Sequence, residues 1–173
     1  SEVISLIKPI KKLNDSIYSK PNVVLIVMES FGREYIGAFN KENEIDNFVS
    51  YTPFLDSLTN HSLIFTNAFS NGRQSIEALP SILASVPSFK VPFTSSPYAN
   101  QKIQSLVSVF EDLNYSTSFF HGAPNGSMGF LGLSNILGFD NYFGKNEFND
   151  NSLYDGYWGI WDEPFLGLSL IHI

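Results

Sequence analysis

An α/β domain with a mostly parallel sheet sandwiched between helices is the fold this sequence predicts. Three observations predict it: short, continuously apolar, β-branched runs; stretches of helical spacing between them; and the order strand, helix, strand, helix, strand. That alternation favours parallel pairing through right-handed crossovers.

The elements follow in chain order. Residues 1–20 alternate apolar and basic positions without a clear period and end in Ser-Lys-Pro, which reads as a linker entering a domain at Pro21. Residues 22–28, NVVLIVM, form the first expected strand. A Gly-containing loop and an acidic stretch at 41–47 lead to Thr52-Pro53, an N-cap followed by proline at the first helical position, so a short helix is expected through Asn60. Residues 63–69, LIFTNAF, are the second expected strand. The turn Ser70-Asn71-Gly72 then feeds a helix over 75–85, with apolar positions Ile76, Leu79, Ile82 and Leu83 and with Pro80 expected to kink it or delay its start. A proline-rich loop from Val86 to Pro97 precedes the clearest helix, whose apolar face is Ile103, Leu106, Val107, Phe110 and Leu113. Tyr115 to Phe120 is the third expected strand, closed by His121-Gly122. Beyond Gly122 the density of Gly, Asn and aromatic residues hides the regular structure, until Asp162-Glu-Pro offers a helix start with Asp162 as its cap. The domain is thus expected over 21–167. The apolar end at 168–173 reads as a tail of non-native character, and the chain as a fragment at both ends.

Composition bounds the function. With 173 residues, 43% hydrophobic and 15% aromatic, the chain has ample material for a core. Seventeen acidic against ten basic residues give a net charge of -7, and no basic cluster is denser than Lys8, Lys11 and Lys12, so nucleic-acid binding is excluded as a first reading. The absence of cysteine removes disulfides, thiolate ligands and a cysteine nucleophile. The longest apolar run, Val23 to Met28, falls far short of the roughly 20 residues that span a bilayer.

In a parallel α/β sheet, ligands sit beyond the carboxyl ends of the strands. Three capable groups occupy that edge: Glu29 after the first expected strand, Ser75 after the second and His121 at the end of the third. Each has a plain alternative. Glu29 reads equally as a solvated carboxylate, Ser75 as a helix N-cap, His121 as a strand-end histidine bonding a carbonyl, and Arg73 as a solvent-facing cation or an anion partner.

Residues 21–30, PNVVLIVMES, resemble the opening of the sulfatase-type domain, and residues 51–58, YTPFLDSL, resemble its next landmark. Residues 65–75, FTNAFSNGRQS, continued by IEALP, are similar to the nucleophile segment of the lipoteichoic acid synthase branch of the alkaline phosphatase superfamily, whose members are phosphoglycerol transferases and related enzymes. The resemblance runs from Pro21 to Leu166 and implies the N-terminal part of a catalytic domain. It implies that Glu29 and Ser75 ligate a divalent metal, usually manganese, with magnesium or zinc as alternatives. It also implies that Ser75 attacks phosphorus and that His121 contacts a phosphate- or sulfate-ester substrate, a lipid headgroup among the candidates; Arg73, two residues before Ser75, is the substrate-anion candidate by position. Members of this branch carry N-terminal membrane helices and place the catalytic domain outside the cytoplasmic membrane.

The sequence departs from the family in three places. Ser75-Ile-Glu-Ala-Leu lacks the x-Pro-x-Arg that formylglycine formation needs. The tryptophan and arginine expected after His121 fall near Met128 and Phe130. The Asp-His pair that completes the metal site has no counterpart before Ile173. The expected activity is therefore metal-dependent transfer or hydrolysis of phosphate esters. A sulfuric ester hydrolase, or a non-catalytic domain of the same fold, is the alternative.

Overall fold

The computed structural model describes residues 20–41, 46–47 and 49–172. The linker expected over 1–20 lies outside them except for Lys20, as do part of the acidic stretch and Ile173. Lys20 ties the start of the domain to its middle: Nζ donates to the Leu113 carbonyl at 2.6 Å and stands 5.8 Å from the Tyr115 ring centroid.

Six α-helices and two strands order the described residues: α1 (Pro53–Leu58), α2 (Ser75–Ala84), α3 (Leu106–Asp112), β1 (Ser118–Phe120), α4 (Phe130–Leu137), β2 (Asn141–Phe143), α5 (Lys145–Phe148) and α6 (Asp162–Leu170). The strands pair in parallel with Ser118, Phe119 and Phe120 opposite Asn141, Tyr142 and Phe143, so β1, α4 and β2 form one crossover unit. Its register is fixed at the entry. Thr117 donates from both N and Oγ1 to Asp140 Oδ2, and the Asp140 amide returns a bond to Thr117 Oγ1 at 3.0 Å. Two stacked cross-strand pairs, Phe119 on Tyr142 and Phe120 on Phe143, extend it along the ladder.

The core lies where α2, α3 and α4 meet: Ile76, Leu79 and Leu83 of α2, Val107 of α3, and Phe130, Leu133 and Leu137 of α4, with Phe93 from the intervening loop. Leu133 and Leu137 are completely buried, and removing each from water contributes about 1.5–3 kcal/mol. Ser105 joins two of these helices. Its hydroxyl accepts from the Ser108 amide as the N-cap of α3 and donates to the Leu137 carbonyl at the end of α4. This cap explains why α3 opens at Leu106 rather than at Ile103.

Three expectations are corrected. The runs 22–28 and 63–69 form no strand, and their side chains stand exposed, from 40% at Ile64 to 92% at Phe69. The reason is pairing: a strand exists only through a neighbour that takes its N–H and C=O groups, and neither run has a ladder partner among the described residues. Pro80 does not delay α2, which begins at Ser75 and buries the proline ring in its interior. Asp162 is already helical, and Trp161 holds the N-cap position. The carboxylates of Asp162 and Glu163 sit in the first turn instead, where they complement the amino end of the helix dipole.

Candidate functional site

Ser75 is the first helical residue of α2 and is partly buried; Gln74, in extended conformation, is the N-cap residue. The turn before it is tightly built. Glu77 Oε2 accepts the Arg73 amide at 2.7 Å and the Gln74 amide at 3.3 Å, which satisfies the N-cap donor and the amide before it. Gly72 permits this approach, since a Cβ there would lie 2.7 Å from Glu77 Cβ. At the other end Ser85 adopts φ 56°, the Val86 amide caps the Pro80 carbonyl, and Ser81 Oγ donates to the carbonyls of Glu77 and Val86. Ser75 therefore sits on a rigid helix start, and the N-cap alternative belongs to its neighbour.

An open pocket of about 630 Å³ lies against this turn, lined by Ser70, Asn71, Gly72, Arg73 and Glu77 and, across from them, Ser88, Phe89 and Lys90. Arg73 thus faces a cavity next to Ser75. Glu29 is not among the residues lining this pocket: its carboxylate is exposed and accepts a 3.5 Å contact from Ser30 Oγ. Ser30, at φ 50°, turns the chain there and helps line a second pocket of about 460 Å³ with Phe31, Tyr35, Tyr51 and Thr52. That pocket's Thr52 is tied to Asp56, whose carboxylate accepts from the Thr52 hydroxyl and the Ala38 amide and is held below the usual range chiefly by the Ser50 hydroxyl. Arg33 links the two regions by donating to the Thr66 carbonyl, on the run that leads to Ser75.

His121 closes β1. Its amide donates to the Phe143 carbonyl at 2.9 Å, its Nδ1 lies 3.3 Å from the Tyr142 hydroxyl, and its ring meets Phe130 edge-on at 4.5 Å. The ring partner is a phenol rather than the carbonyl of the plain alternative. Burial lowers the imidazole pKa, and burial followed by the Glu147 charge pushes Tyr142 up to about 12. The pair is therefore neutral near pH 7. Because the folded His121 pKa lies below the unfolded value of about 6.5, the unfolded chain takes up the proton first as pH falls, and stability drops from about pH 6.5 downward. The thermal midpoint of the full-length protein should fall relative to His121→Gln between pH 7 and 5; a constant difference would refute the burial of this ring.

The structure therefore brings Arg73 to a cavity beside Ser75, while no hydrogen bond joins Glu29, Ser75 and His121 among the described residues. Among the described residues, no group of three or more His, Cys, Asp or Glu gathers as a metal centre, and no helix is long and apolar enough to cross a membrane. Sequence reasoning missed Tyr142 and the far wall of the Arg73 pocket. The run Phe139 to Phe143 after Gly138 carried a strand signal for Tyr142; Lys90, inside a proline-rich loop, carried none.

A family model described as Sulfatase matches residues 21–170. Among solved structures, the chain is similar to the lipoteichoic acid synthase LtaP from Listeria monocytogenes, with a TM-score of 0.64 at 22% identity over 71% of this chain and 30% of that one. It is also similar to a protein in the alkaline phosphatase superfamily from Vibrio parahaemolyticus, with a TM-score of 0.57 at 17% identity over 68% of this chain and 29% of that one. The chain thus spans about 30% of the length of these structures, and the likeness is one of fold. No curated protein matches significantly.

Proposed function

The chain belongs to the sulfatase family, and from that premise we propose that it contributes to a metal-dependent transferase or hydrolase of phosphate esters or phosphodiesters, with Ser75 as nucleophile. The observation that carries this reading is the placement of Ser75 at the start of a ten-residue helix, directly after a turn whose Arg73 lines a polar pocket.

The residues divide the work as follows. Ser75 Oγ passes its proton to water and bonds to phosphorus as the ester P–O bond breaks, and the departing alkoxide takes a proton from water. Water or an acceptor alcohol then resolves the phosphoserine. The free amides of the α2 start and the Arg73 guanidinium favour the anionic oxygens of the transferred group. His121, neutral near pH 7, orients the substrate by hydrogen bonding rather than acting as a standing acid.

The carboxylate of Glu29 and the hydroxyl of Ser75 are hard oxygen donors suited to a divalent ion, manganese first and magnesium or zinc as alternatives, and they would hold it as part of a larger ligand set. Such an ion, when bound, lowers the pKa of a coordinated hydroxyl and offsets phosphoryl charge. The remaining donors would lie outside the described residues. Sulfate-ester hydrolysis is the second reading, favoured by the family match; the missing x-Pro-x-Arg after Ser75 places it behind the first. Turnover of a phosphodiester by the full-length protein, with and without Ser75, tests the proposal.

We further propose that the domain lies outside the cytoplasmic membrane, anchored through helices preceding residue 1, with a lipid headgroup among its substrates. The linker-like composition of 1–20 supports this placement. A reporter fused at Lys20 in the full-length gene should be active only if it functions on the outer side; a reporter confined to cytoplasmic function should be silent, and its activity there would refute the placement.

A further inference from the structure

We propose that the pocket between the Gly72 turn and the Lys90 loop is a subsite for a second anionic group of the substrate, with Lys90 as its specificity-determining residue. This deepens the phosphoryl-transfer reading and rests on it for the identity of the reacting group.

The electrostatics of the wall support an anion. Arg73 and Lys90 line the pocket from opposite segments together with the hydroxyls of Ser70 and Ser88 and the amide of Asn71, in a chain whose net charge is -7. Lys20, Arg33 and Lys145 are engaged, on the Leu113 carbonyl, the Thr66 carbonyl and over the Tyr154 ring respectively. The side chains of Arg73 and Lys90 have no hydrogen-bond or ion-pair partner among the described residues. Glu77, the one carboxylate in the wall, is held at the helix start by the amides of Arg73 and Gln74, and against Arg73 and Lys90 it leaves the wall a net charge of +1.

Geometry and size agree. Arg73 lines this cavity two residues before Ser75, and in this proposal a substrate that reacts at Ser75 extends its next charged group toward it. At about 630 Å³ the pocket lies within the range of small-ligand sites and exceeds what one tetrahedral anion fills. The ligand class is an ester carrying a phosphate-type anion a few bonds from the transferred one, whether soluble or on a lipid headgroup.

The test is calorimetric titration of the full-length protein, in a chelator so that the anions meet protein groups alone, with ethanediol monophosphate and ethanediol bisphosphate. The bisphosphate should bind about tenfold more tightly. Lys90→Gln should remove most of that advantage and Lys90→Glu all of it; Lys90 is exposed, so both variants fold. A short-chain lipid bearing the same two phosphates, titrated in parallel, identifies the source. Equal dependence on Lys90 in both titrations means that the subsite reads the anion alone, and dependence with the lipid only assigns it to a headgroup. Absence of a Lys90-dependent advantage in both titrations would overturn the subsite. Ser75→Ala separates the two readings: it should leave the Lys90-dependent advantage in place, whereas failure of the nucleophile reading would appear in turnover alone.

Discussion

Ser75→Ala is expected to lower turnover of a phosphodiester by the full-length protein by at least about a thousandfold, with the fold retained. The loss is large because the covalent route has no substitute oxygen. Ser81 is six residues on, about 9 Å along the helix axis, and its hydroxyl is already committed to the carbonyls of Glu77 and Val86. The fold should tolerate the change because Ser75 makes no cap bond, the helix start being closed by Glu77, and alanine is the best helix former. Ser75→Thr should retain part of the activity, since it presents the same oxygen. Near-normal turnover by Ser75→Ala in a folded protein would end the nucleophile assignment.

Glu29→Ala is expected to weaken manganese binding to the full-length protein by at least about tenfold in calorimetry, as the loss of a single supporting group does at metal sites. The side chain is free to serve: it is exposed and its one recorded contact is the long one from Ser30 Oγ. Nothing in the core rests on it, so a folded variant isolates the binding effect. Unchanged affinity would remove Glu29 from the ligand set.

How far the sequence reached depended on whether a signal was local. The helix at α2 was readable because the Gly72 turn, the apolar positions Ile76, Leu79 and Leu83 and the closing Ser85 all lie within fifteen residues. α3 and β1 were readable for the same reason, and with β1 the position of His121. The runs 22–28 and 63–69 carried an equally strong apolar signal, yet strand formation depends on a partner that local composition does not specify. α4 and β2 were hidden because Gly126, Gly129 and Gly138, all at positive φ, and a clustered Phe, Leu and Asn composition mimic loop chemistry. At the candidate site, Arg73 was found because it neighbours a recognisable turn. The Lys90 wall was not, because its contribution arises from a loop that folds back against that turn across seventeen residues.

The central claim is that Ser75 is the atom that attacks. Peptide mass spectrometry of the wild-type, full-length protein, acid-quenched during turnover of a phosphodiester, tests it most directly. The prediction is an adduct with the mass of the transferred phospho group on the peptide containing Ser75, absent from Ser75→Ala. An adduct on any other residue during active turnover would contradict it.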